Sequence, residues 1–200
     1  MKRVSKSHEI LPQIDSNEYR LVWRSITNST NERTLISTIL PPNIFLGNSL
    51  NYLSPINFDG EKYVHPISYD ETFFICGIFN SFPIDFILRH RVATNLNIFY
   101  LMELPIPRYD KNNKLHKKLF ENTAKLICTT KEYVDLIKVV DISNPVSDPE
   151  KRLGLESQIN ALSAKIYGLT KEDLEFILNN FPIVDKKLKD LTLDEFDLLH

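Results

Sequence analysis

Residues 19–42, YRLVWRSITNSTNERTLISTILPP, decide how the fold is read. Tyr19 to Ile26 is β-branched and aromatic with partial alternation, the composition of a half-buried strand. Ser25 to Asn31 is rich in Thr, Ser and Asn, a turn composition. Arg33 to Leu40 resumes β-type periodicity until Pro41-Pro42 stops it, because proline cannot donate to a ladder. The segment therefore predicts a hairpin-like pair of strands. Arg20, Arg24 and Arg33 project to one side of it unless a bulge intervenes.

Working outward on the amino-terminal side, residues 1–18 are polar and sparse in apolar residues, which predicts a flexible lead-in. On the carboxy-terminal side, Asn, Gly and Pro interrupt every apolar run from Ile44 to Tyr69, as expected of short strands joined by recognition-type loops. The alternative for Tyr52, Phe58, Tyr63 and Tyr69 is that they fill the core beneath those loops. Asp70 to Arg91 (DETFFICGIFNSFPIDFILRHR) predicts two short helices broken near Asn80 to Pro83, with Asp70 as cap and Pro83 in a first turn.

Asn95 to Pro107 (NLNIFYLMELPIP) reads as a strand with an extended Pro-x-Pro exit. Helical spacing predicts one helix over Leu115 to Ile137. A second begins at Asp148-Pro149 and ends at Gly168, and a third is opened by the Thr170/Asp173 capping box. Leu191 to His200 forms a last helical turn or frays. The fold class is α+β: a small mixed sheet with a helical pair, followed by a helical segment. Its divisions are a lead-in at 1–18, an α+β recognition domain at 19–110 and a helical tail at 111–200.

Two hundred residues suffice to bury one ordinary core, and 42% hydrophobic with 25% charged residues is a globular composition. No apolar run approaches the roughly 18 residues that span a bilayer, and MKRVSKSHEI lacks a signal peptide's apolar centre, so a cytoplasmic, membrane-free protein is expected. Cys76 and Cys128 lack metal-site spacing and read as packed, reduced thiols. Net charge is −2. Residues 1–110 carry 10 Lys+Arg against 11 Asp+Glu, 111–140 carry 7 against 3, and 141–200 carry 7 against 12. Such a chain does not coat DNA electrostatically; any DNA binding relies on placed contacts.

Three segments carry a resemblance. They are Tyr19 to Pro42 (Tyr-Arg-x-x-x-Arg, then Thr30-Asn-Glu-Arg-Thr34, then Pro41-Pro42), Asn95 to Arg108 (Leu-Asn-x-Phe-Tyr, then Leu104-Pro-x-Pro107) and Tyr167 to Asp185 (Tyr-Gly-Leu-Thr, then Phe176-Ile-Leu and Phe181-Pro182). Together they resemble the carboxy-terminal target-recognition region of type IIG-like restriction-modification DNA methyltransferases and related phage-defence enzymes. The Gly77 to Ser81 stretch followed by Phe86 and Arg89 is similar to a helical pair of these regions.

The resemblance implies a non-catalytic reader of double-stranded DNA that works beside a methyltransferase domain in the same or a companion chain, as a fragment of a larger enzyme. S-adenosylmethionine, and magnesium where the parent also cleaves, belong to that other part. In the chain itself Pro41-Pro42 lies between Leu40 and Asn43 and so lacks the flanking residues of the methyltransferase motif, and the five glycines are far apart. Asp59-Gly-Glu-Lys62 and Asp185-Lys-Lys187 are partial nuclease look-alikes, and the histidines have no metal spacing. The candidate DNA-binding residues are Arg20, Arg24, Asn31, Arg33, Arg89 and Arg91, with lysines at 111–118 on phosphates. Two alternatives stand beside this reading: Arg24 and Arg33 pair with Glu32 and Glu18 to hold the hairpin, or the acidic helical tail docks on a partner protein without reading DNA.

Overall fold

The computed structural model describes residues 13–28 and 30–199. Most of the expected lead-in, residues 1–12, lies outside the described residues. The chain is α+β. β1 (Arg20–Arg24) is the centre of a three-stranded antiparallel sheet, flanked by β2 (Ser37–Leu40) on one side and β3 (Leu50–Tyr52) on the other. β4 (Asn57–Phe58) and β5 (Tyr63–Val64) form a separate two-stranded ribbon. The helices are α1 (Tyr69–Phe79), α2 (Phe82–Arg89), α3 (Ile98–Met102), α4 (Lys114–Ile127), α5 (Val134–Val139), α6 (Pro149–Ile166), α7 (Lys171–Asn179) and α8 (Lys186–Leu198).

The β1–β2 register sets Leu21 opposite Ile39 and Trp23 opposite Ser37. Alternation then turns Leu21, Trp23 and Ile39 into the core, against Phe73, Phe74 and Ile78 of α1. Arg20, Val22 and Arg24 share the opposite face. The same core takes Leu119 and Phe120 from α4, Tyr133 and Leu136 from the next segment, and Leu162 from α6. It therefore crosses the boundary expected at residue 110. A second cluster, with Phe82, Leu174, Leu178, Phe181 and Phe196, joins α2 to α7 and α8. Each such side chain contributes about 1.5–3 kcal/mol on burial.

β2 is an outer strand, and its free edge is covered by side chains. The Asn80 carboxamide accepts from Ser37 N at 3.0 Å and donates to Ser37 O at 3.0 Å, as a neighbouring strand would. Tyr133 donates its hydroxyl to Ile39 O at 2.8 Å. Asn160 of α6 accepts from Phe82 N at 2.9 Å, and Ser81 and Ser163 meet at 2.8 Å. The corner between α1 and α2 is thus pinned to the sheet and to α6.

Several expectations need correction. Asn95 to Pro107 is not a strand: Asn95 forms one isolated bridge with Ile26, and Asn97 then opens α3. The buried positions there are Leu96, Leu101 and Leu104, spaced by five and three rather than two, while Ile98, Phe99 and Met102 face solvent. The predicted helix over 115–137 breaks at Cys128, where Thr129 and Thr130 follow; the 3₁₀ turn Lys131–Tyr133 then swings Tyr133 onto the sheet edge. Ser68, not Asp70, caps α1, its hydroxyl accepting from Glu71 N at 3.2 Å. The carboxy-terminal segment is a full helix, capped by Asp185.

Other readings hold. Pro83 sits in the first turn of α2, Asp148 caps α6, Gly168 (φ 67°) ends it in the left-handed region, and Thr170 with Asp173 forms a capping box. The apolar stripe of α6 packs against α4 and α8 rather than facing outward. Among the described residues no single helix is long and apolar enough to cross a membrane; α1 and α2, the most apolar pair, are bent by 58° and lie in the core. Both cysteines are buried and unpaired.

Candidate nucleic-acid interface

The loop joining β1 to β2 is held from three directions by arginines. Arg24 reaches along it and donates to Arg33 O at 3.3 Å. With its amide oxygen turned toward Arg24, Asn31 accepts a further bond from that guanidinium at 3.2 Å. Arg89, at the end of α2, donates to Asn31 O at 2.8 Å, to Glu32 O at 2.9 Å and to Asn180 O at 3.0 Å. Arg33 turns inward. Its Nε lies 2.7 Å from Asp85 Oδ2, and its Nη2 donates to Asn80 O.

Asp85 completes the arrangement by accepting from Thr34 N with both oxygens, at 3.0 and 3.1 Å. Its carboxylate is fully buried, a position tolerable only because a cation and a backbone donor both meet it. Burial pulls the Arg33 guanidinium below its ordinary value, and the Asp85 charge opposes that shift. The arginine planes also lie over aromatic rings: Arg33 over Phe82 at 4.3 Å and Arg89 over Phe181 at 4.1 Å. The pairing anticipated for Arg33 with Glu18 or Glu32 is replaced by Asp85, which sequence reasoning missed. Its signal was a lone carboxylate inside the apolar run Phe82-Pro-Ile-Asp-Phe-Ile-Leu88.

The structure thus brings Arg24, Asn31, Arg33 and Arg89 together around one loop. Arg20 stands on the same sheet face as Arg24 but is buried, donating to Ile44 O and lying over the Tyr52 ring at 5.4 Å. Arg91 is apart from the group and half-exposed, 3.7 Å from Glu103.

Outside the stapled loop lies a shallow basin bounded by Arg24, Ile26, Asn28, Asn31, Ser49 and Asn95. It runs along the β3 edge through Leu50 to Asn51, Asn97 and Phe99, and through Tyr52 to Phe45. Phe45 is 85% exposed and Phe99 50%, unusual for such side chains. Asn51 is fixed by donating to Leu96 O at 3.2 Å. The loop from 94 to 97, of which 95–97 were expected to be strand, is what closes the basin: Thr27 N donates to Thr94 O at 2.9 Å and Leu96 N to Ser25 O at 2.7 Å.

Chemically this face offers carboxamides, hydroxyls and three exposed aromatic rings, those of Phe45, Tyr52 and Phe99. It has hydrogen-bonding capacity for polar edges and ring faces for stacking. Comparison with protein-family models, with curated proteins and with solved structures finds no match.

Proposed function

We propose that the chain is a DNA target-recognition unit, working beside a methyltransferase domain, and that the basin between the 25–36 loop and the β3 edge is its reading surface. The observation that carries this reading is the loop itself, in which three arginines and a buried aspartate immobilise a backbone that presents asparagine and threonine side chains. Pre-organised polar groups of this kind suit readout of base edges in a major groove, where a carboxamide matches adenine and a guanidinium matches guanine. The resemblance of the three sequence segments to type IIG recognition regions points the same way.

Roles divide within the candidate set. Arg33 and Arg89 spend their donors inside the protein and act as positioning residues. Arg24 and Asn31 border the basin and are the readers. Arg91 and the lysines at 111–118 supply phosphate contacts that fix register. With a net charge of −2, bulk attraction is weak, so affinity comes from placed contacts and from the companion domain.

The test is selection of bound fragments from a random duplex pool at low and moderate salt, with the intact chain and with Asn31→Ala and Arg24→Ala. An enriched motif that changes in either variant, at an unchanged urea midpoint, supports the reading. Salt-sensitive binding without motif, or variants that alter stability alone, would sink it.

A further inference from the structure

On the opposite side of the stapled loop a cleft of about 460 Å³ opens between the free edge of β2, the end of α4, the first half of α6 and the start of α8. That volume falls in the range of roughly 300–1,000 Å³ usual for small-molecule sites. Its walls are aliphatic, with Ile36, Ile127, Ile159 and Leu188 among them. Most polar groups at its margin are already used. Asn80 and Asn160 are saturated by the sheet edge and by α1, α2 and α6 backbone, and Arg33 is held by Asp85.

Two groups are different, and they stand one helical turn apart on α6. Arg152 is fixed through Nη1, which donates to Leu126 O at 2.8 Å and Val146 O at 3.0 Å, while among the described residues its other N–H groups meet no acceptor. Among the described residues the Glu156 carboxylate has no hydrogen bond and no ion pair, although the Arg152 and Arg33 charges are near enough to act on it. Opposite charges at this spacing can meet along a helix face, less favourably when the base precedes the acid as it does here. A partly buried carboxylate in an apolar cleft is costly, and burial raises its pKa from the ordinary value while the Arg152 and Arg33 charges oppose the shift.

We propose that this cleft binds a flat, uncharged heterocycle whose edge sets N–H donors beside a carbonyl oxygen, the hydrogen-bonding edge of guanine. Glu156 accepts from the paired N–H donors, Arg152 donates to the carbonyl, and the aliphatic walls cover the ring faces. Charge selects the form of the ligand. Arg33 is neutralised by the buried Asp85, which leaves Glu32 and Glu156 against Arg152, so a phosphorylated ligand is disfavoured and a free base or nucleoside is preferred. This proposal does not depend on the DNA reading, because the cleft and the basin lie on different sides of the loop.

The experiment is calorimetric titration of the full chain with guanosine, adenosine and guanosine monophosphate, with amide chemical-shift mapping to locate the site and Glu156→Gln as the variant. Guanosine is expected to bind and to perturb the 152–160 stretch of α6. Adenosine, which lacks the donor-donor-carbonyl edge, binds at least tenfold more weakly, and the monophosphate is weaker than the nucleoside. Glu156→Gln loses tenfold or more in guanosine affinity while its thermal midpoint stays the same or rises, since an unpaired carboxylate contributes nothing to the empty fold. Absence of guanosine binding at millimolar concentration, equal binding of adenosine, or guanosine affinity unchanged in Glu156→Gln overturns the proposal.

Discussion

At Asp85 a single carboxylate decides how the loop between β1 and β2 is held. It meets Arg33 at 2.7 Å, both its oxygens accept from Thr34 N, and the carboxylate itself is fully buried. Asp85→Ala leaves the Arg33 cation facing an apolar wall, and removal of one partner from such a pair costs about 3–5 kcal/mol. Asp85→Asn keeps an acceptor for Thr34 N and is the milder lesion. Urea unfolding of the two variants is expected to rank them in that order, and equal, near-zero costs would mean that the loop is not held here. The buried thiols make a second prediction. Cys76 is pushed up to about 12 by burial, and Cys128 likewise to about 12, from an ordinary 9.0. An acid whose pKa is raised by folding gives stability that is complete below the unfolded value and is lost as pH climbs toward the folded one. Stability should therefore fall between pH 9 and 12, at a limiting slope on the order of 1 kcal/mol per pH unit for Cys76. Unfolding midpoints taken from pH 8 to 11 are expected to show the decline. In Cys76→Ala the decline is shallower; an identical profile in that variant would assign the alkaline limb to Cys128 and the tyrosines.

Among the elements, the contact between α1 and α4 rests on the missing side chain of Gly77. A Cβ there would come within 2.4 Å of Thr123 Oγ1 and 2.6 Å of Leu119 Cδ2. Gly77→Ala raises intrinsic helix propensity, which alone would stabilise by up to about 1 kcal/mol. Overpacking opposes this at about 1–3 kcal/mol and wins, because both obstructing groups are buried. Thermal denaturation is expected to show a lowered midpoint, and a raised one would mean that α4 yields at no cost. The sequence showed that a helix lies here, but not what it touches. Local signals placed the first two strands, the Asn80 to Pro83 corner and the caps of α6 and α7, because capping and β-branching act within a few residues. The error at 95–107 has the opposite cause. Its β-rich composition was overridden by long-range partners, with Trp23 Nε1 donating to Leu96 O at 3.2 Å and Leu101 packing into the core. The candidate site was legible in part for the same reason. The arginines were visible, but their acceptors at Asp85, Asn80 and Asn180 stand about 47 to 91 residues away, beyond any local pattern.

For the whole molecule the question is whether residues 19–110 and the helical tail are separable units. Composition suggested a boundary at residue 110, where charge and periodicity both change. The packing joins the two parts instead, since Leu119, Phe120, Tyr133 and Leu162 complete the core begun by Leu21, Trp23 and Phe73. Tyr133 also closes the β2 edge, and Asn160 receives the first N–H of α2. Without the tail, α1 would expose Phe73 and the sheet would carry an open edge. One cooperative transition therefore follows, and the chain contains two probes that report on opposite sides of the boundary. Its one tryptophan, Trp23, is buried in the sheet and reports the front by fluorescence. The long helices α4, α6 and α8 dominate the far-ultraviolet circular dichroism and report the tail. Urea titration of the full chain is expected to give coincident midpoints from the two signals. Midpoints separated beyond fitting error would show that the shared core is weaker than the parts it joins, and would place a folding boundary where the sequence changes character.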